Sequence, residues 1–195
     1  MTRKSNLRGR TSITNEEINE LPLKAFEGDI VLIDKASQIR KACHEIEQFS
    51  EVGFDTETRP TFKRGQRHDV ALMQIAIPEK VFLIRLNHTG LTNDLVSLLE
   101  ADDILKAGVA LRDDIKGLQR LKHYQPAGFV ELATLAKEAG LEVESVKKLT
   151  ALLLDFRISK SAQTSNWEAD VLNEKQLKYA ATDAWVCLHI YQSLL

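Results

Sequence analysis

Val52-Gly53-Phe54-Asp55-Thr56-Glu57 is a short run of small, apolar and acidic residues, and how it is read decides the fold. Extended as a strand, it sends the side chains of Asp55 and Glu57 to the same face. Two acids on an otherwise buried strand are costly unless something positive binds them. A strand end at which both acids reach solvent fits the spacing equally well. Working outward, Val70 to Ile77 reads as a second strand, Pro78-Glu79 as a turn and Lys80 to Leu86 as a third strand. So short a turn makes these two an antiparallel hairpin. Further on, Leu91 to Leu99 has helical spacing, Ile104 to Ala110 reads as a buried strand and Asp113 to Leu121 as a helix. Phe129 to Leu132 is a last strand before helices that fill the rest. Toward the N-terminus, Ile30 to Ile33 is a brief apolar run, and Ala36 to Phe49 has helical spacing at Ile39, Cys43, Ile46 and Phe49. Thr14 with Glu17 has the form of a capping box, opening a short helix that stops before Pro22. Strands paired first by hairpins and then alternating with helices predict an α/β fold. Its sheet is mixed and five-stranded, with the first three strands antiparallel and helices on both faces.

The length of 195 residues suits one domain with a substantial core, expected over 14–195, after a polar, basic and disordered tail over 1–13. No apolar run is long enough to span a bilayer, and the N-terminal ten residues lack the apolar segment of a signal peptide. A cytoplasmic protein with no membrane partner is expected. Cys43 and Cys187 are far apart and lack CxxC spacing, so neither a disulfide framework nor a thiolate zinc site is indicated. The net charge of −2 excludes a protein that coats DNA, but the charge is uneven. Arg3, Lys4, Arg8 and Arg10 cluster without acids, as do Arg59, Lys63, Arg64 and Arg67. Such local clusters suit contact with a short stretch of phosphate backbone.

Two further signals accompany Asp55 and Glu57. Tyr179 and Asp183 lie four apart in a strongly helical segment, which puts phenol and carboxylate on one face. Ala180, Ala184 and Cys187 share that stripe and turn it inward, although a core aromatic beside an exposed acid has the same spacing. Asp114 stands where a strand gives way to a helix, and either Asp113 or Asp114 fits an N-cap. Each signal is weak alone. Their order is not: Asp55-x-Glu57, then Asp114, then Tyr179-x-x-x-Asp183 resembles the motif set of the DEDDy exonuclease superfamily. Gly53 to Pro60, Arg64-Gly65 and Val70 to Ile75 look like the first-motif region of the Werner syndrome exonuclease domain. Lys160-Ser161, Thr164 to Trp167, Leu172 and Tyr179 to Ala184 look like its third-motif region, and RNase D is a more distant relative. The resemblance covers residues 29–195.

The resemblance implies an RNase H-like fold, two Mg²⁺ or Mn²⁺ ions, and release of nucleoside monophosphates from a nucleic-acid 3′ end. Asp55 would bridge both ions, Glu57 and Asp183 would complete one site, and Asp114 would hold its place largely through water. Hard divalent cations prefer carboxylate oxygens, which agrees with this assignment. Tyr179 would aim the attacking water; Lys178 occupies the position at which a related class carries histidine. Arg59, Lys63, Arg64 and Arg67 are placed for phosphate contacts, with a solvated loop as the plain alternative. Trp167 either stacks on a base or braces the third-motif helix, and mid-strand Gln74 is either structural or part of the site. His68-Asp69 without further histidines at helical spacing is weak evidence for a metal phosphohydrolase. No helicase or further nucleic-acid-binding domain follows Tyr191, so targeting is expected from elsewhere. The Werner-like stretches favour DNA over RNA. RNase D-like RNA processing, a non-catalytic binding module and an RNase H-like endonuclease are the alternatives.

Overall fold

The computed structural model describes residues 9–195. Residues 1–8 of the expected tail lie outside the described residues. The rest is partly tied down: Thr11 accepts a backbone hydrogen bond from Glu142, and Ile13 is buried. Helix α1 (Asn15–Glu20) opens at Thr14, whose hydroxyl accepts from the Glu17 N–H while the Glu17 carboxylate accepts from the Thr14 N–H. Strand β1 (Asp29–Ile33), a 3₁₀ turn (Ala36–Gln38) and α2 (Ile39–Ile46) follow. The middle of the chain supplies β2 (Glu51–Thr58), β3 (Val70–Ile77), β4 (Lys80–Arg85), α3 (Leu86–Thr89) and α4 (Asn93–Glu100). Then come β5 (Leu105–Gly108), α5 (Leu111–Leu121), β6 (Phe129–Glu131), α6 (Leu132–Glu138), α7 (Val146–Leu154) and α8 (Glu174–Leu194).

The sheet runs in the order β1-β4-β3-β2-β5-β6. As expected, β2 and β4 each pair antiparallel with β3 between them, while β5 and β6 extend the sheet in parallel from β2. The predicted count of five strands is corrected to six. Asp29–Ile33 adds an edge strand parallel to β4. Only its last residue is buried, so its sequence shows neither the alternation of a half-buried strand nor the long apolar run of a central one. In contrast, all eight residues of β3 are buried, as the centre of a sheet covered on both faces requires.

One face carries Phe54, Met73, Ile75, Phe82 and Ile84 and packs against α2, α4 and α5. The other carries Leu72, Ala76, Val81 and Leu83 beneath Ala180, Ala181 and Ala184 of α8, with Trp167 alongside. Each fully buried large side chain contributes roughly 1.5–3 kcal/mol by leaving water. Gly53 fixes how closely α8 approaches: a Cβ there would lie 1.9 Å from the Ala184 carbonyl oxygen. Glycine in β2 and alanines in α8 thus bring the helix backbone directly onto the strand that carries Asp55 and Glu57.

Candidate active site

Asp55 and Glu57 leave β2 on the face that α8 covers, opposite Gln74 and Leu72 of β3. Helix α8 starts at Asn173, whose side chain accepts from the Gln176 N–H while the Gln176 side chain accepts from the Asn173 N–H. This double cap sets the helix phase, and the next two turns carry Tyr179 and then Asp183 onto the acids. Asp55, Glu57 and Asp183 each offer a carboxylate oxygen, all within 4.8 Å of one another. Among the described residues, no salt bridge reaches any of the three.

Burial pushes the Asp55 carboxyl well above the usual carboxylate range, and the neighbouring charges of Glu57, Asp183 and Asp114 push it further. Burial raises Glu57 as well, with Asp183 adding to the effect and a hydrogen bond from Gln74 opposing it. Asp183 is raised by burial, against the Tyr179 hydroxyl and the positive charge of Lys160. Three crowded carboxylates that resist ionising together are the expected behaviour of a cation site without its counter-charge. All the donors are hard oxygens, so the set is able to hold a metal ion of the divalent, oxygen-preferring kind. Burial also drives the Tyr179 phenol far above its ordinary range, and the three acids drive it further.

Asp114 stands beside this cluster rather than in it. The Thr56 hydroxyl donates to its carboxylate, and burial raises it to about 6 against that bond. Neither Asp113 nor Asp114 is the N-cap of α5, because the helix begins at Leu111 after Ala110 in a left-handed conformation, φ 57°. The capping oxygens come instead from Glu131 of β6, which accepts from the N–H groups of Ala110 (3.0 Å) and Leu111 (2.9 Å). Nothing local in the sequence signals this long-range cap.

The acids floor a cleft of about 450 Å³ whose walls include Ala110, Ser145, Lys147, Lys160, Gln163 and Tyr179. Lys147, Gln163 and Glu131 belong to no motif that is read locally, and Thr56 fills the variable position of Asp55-x-Glu57. Arg59, Lys63, Arg64 and Arg67 are all exposed in the loop after β2. Two of them, Arg59 and Lys63, line a hollow with Phe62, which is 87% exposed. The His68 ring lies 3.2 Å from the Glu168 carboxylate, in the segment before α8. Of the two readings of Trp167, its placement fits the bracing one and not the nucleic-acid contact. It is fully buried and packs against Tyr179, with ring centroids 6.0 Å apart.

Residues 30–195 match the family model described as 3′-5′ exonuclease. This chain belongs to that 3′-5′ exonuclease family. It is 36% identical over 186 residues to the bifunctional 3′-5′ exonuclease/ATP-dependent helicase WRN of Mus musculus, covering 90% of this chain and 13% of that protein. Among solved structures it is similar to the Nibbler EXO domain of Aedes aegypti, with a TM-score of 0.77 and 26% identity. That match covers 88% of this chain and 90% of the other. Escherichia coli RNase D shares the fold at a TM-score of 0.78 and 23% identity, over 85% of this chain and 44% of that one. The family's RNase H-like architecture is thus the one seen here, with β1 as a sixth strand.

Proposed function

We propose that residues 14–195 form a metal-dependent 3′→5′ exonuclease domain that releases nucleoside monophosphates from a nucleic-acid 3′ end. The observation that carries this reading is the set of three carboxylates within 4.8 Å, with Tyr179 one helical turn before Asp183. Asp55, Glu57 and Asp183 would hold the Mg²⁺ or Mn²⁺ ions, of which we propose two, and Asp114 would take part largely through water. When bound, such a pair activates water for attack and neutralises charge on the departing 3′ oxygen. The protein's own part is binding, aiming and excluding solvent. Because burial keeps the Tyr179 phenol protonated, it serves as a neutral hydrogen-bonding group that aims the water rather than as the base that deprotonates it. Trp167 holds that ring from behind.

The loop cations Arg59, Lys63, Arg64 and Arg67 would grip backbone phosphates, with the exposed ring of Phe62 offering a stacking surface. We favour DNA over RNA on the likeness of the stretches Gly53 to Ile75 and Lys160 to Ala184 to the Werner syndrome exonuclease domain. The free, buried thiols Cys43 and Cys187 suit the reducing interior of a cell, and a cytoplasmic setting belongs to the proposal. No helix among the described residues is long and apolar enough to cross a membrane. The test is a digestion with Mn²⁺ of matched linear DNA, linear RNA and circular single-stranded DNA. Linear DNA should be consumed faster than RNA and the circle should survive. Cutting of the circle would overturn the exonuclease reading, and faster loss of RNA would overturn the substrate assignment.

A further inference from the structure

We propose that Gln74 is a positioning residue for Glu57, holding its carboxylate in the orientation a divalent cation requires. This rests on the metal-dependent reading of the site. Gln74 lies directly opposite Asp55 in the β2–β3 register, with Leu72 opposite Glu57. Directly opposed residues of an antiparallel pair project to the same face, so Gln74 stands on the acid-bearing side of the sheet. It is fully buried. Its Nε2 donates to Glu57 Oε1 at 3.4 Å, while its own Oε1 has no hydrogen-bond partner among the described residues. Its same-face neighbours along β3, Leu72 and Ala76, are apolar, as is Leu83, opposite it on β4.

An amide in that setting is a poor choice for stability alone. A buried polar atom left unpaired costs free energy, and an apolar side chain of the same shape avoids that cost. What the amide supplies is a donor to Glu57, and no other side chain among the described residues donates to that acid. The other acids have holders of their own. The Thr56 N–H donates to Asp55 Oδ1 at 2.9 Å, and the Thr56 hydroxyl donates to Asp114. Donors behind a ligating carboxylate orient it for the ion, and losing one typically costs about 10–100-fold in metal affinity.

The experiment titrates Mn²⁺ calorimetrically into the wild-type chain and Gln74→Met, and follows melting of both in EDTA. Gln74→Met should bind Mn²⁺ about 10–100-fold more weakly, with a melting temperature equal to or above wild type. Affinity within twofold of wild type would overturn the proposal. So would a loss of affinity that comes with a matching fall in melting temperature, because that is the mark of a structural residue. Should Gln74→Met fail to fold, Gln74→Asn, which keeps the amide but withdraws it by one methylene, carries the same expectation. A wild-type chain that binds Mn²⁺ yet digests no oligonucleotide would refute the exonuclease reading and leave the role of Gln74 standing. A wild-type chain that binds no Mn²⁺ would refute both.

Discussion

Tyr179 and Asp183 share one helix face, but the proposed mechanism gives them different work. Asp183 would hold an ion together with Asp55 and Glu57, whereas Tyr179 would orient the water. Removing a ligand dismantles the site, while removing one hydrogen bond to the nucleophile costs about 2–4 kcal/mol of barrier, or roughly 10²–10³ in rate. Tyr179→Phe should therefore keep near-normal Mn²⁺ affinity and substrate binding and lose turnover by that factor, whereas Asp183→Asn should also lose metal affinity. Mn²⁺ calorimetry beside single-turnover kinetics separates the two, and full activity in Tyr179→Phe would make the tyrosine a core residue only. At this scale the sequence was informative because i, i+2 on a strand and i, i+4 on a helix fix which side chains share a face. It was silent on Glu131, since a carboxylate that caps a helix 20 residues earlier leaves no local trace. It was ambiguous on Trp167, because an aromatic that stacks on a base and one that braces a tyrosine look alike until burial is known.

Among elements, the contact of β2 with α8 matters most, and Gly53 controls it. Adding a Cβ there forces the Ala184 backbone away, and overpacking of this kind typically costs about 1–3 kcal/mol. Gly53→Ala should lower the denaturation midpoint and weaken Mn²⁺ binding together, because Asp183 rides on the displaced helix. Weakened stability with unchanged metal affinity would show that the helix is seated by other contacts. A second prediction concerns β5 and α4. Lys106 is fully buried, and its ammonium donates to the carbonyls of Leu98 (3.1 Å) and Ala101 (2.6 Å) at the end of α4. Burial lowers it to about 8, against the charges of Asp103 and Asp102. Between that value and the unfolded value near 10.5, the unfolded chain holds more protons than the folded one. Stability attributable to Lys106 therefore rises with pH across that window. Urea midpoints of wild type and Lys106→Met, taken at pH 7 and pH 9.5, should diverge in favour of wild type at the higher pH; parallel shifts would refute this. The hairpin of β3 and β4 was legible because its turn is short and its runs are apolar. Strand β1 was not, because a half-buried edge strand of five residues looks like any brief apolar run.

For the molecule as a whole, the site sets stability against function. Three carboxylates are held together by packing that does not neutralise them, so the metal-free fold carries their mutual repulsion. Asp55→Asn should abolish turnover yet melt at or above the wild-type temperature in EDTA, and adding Mn²⁺ should reverse that order. A large fall in melting temperature without metal would make Asp55 a structural residue. The arrangement of the acids was legible from their order along the chain. The cleft walls at Lys147 and Gln163 were not, because they come together only when the α7 and α8 segments fold back over the sheet. The most direct measurement of the central claim uses an oligonucleotide labelled at its 5′ end, with a recessed 3′ end, digested with Mg²⁺ or Mn²⁺ and with EDTA. A ladder of products shortened one nucleotide at a time from the 3′ end, present with either cation and absent with EDTA, is the predicted result. Release of the 5′ label as a mononucleotide at early times, or digestion that persists in EDTA, would contradict it.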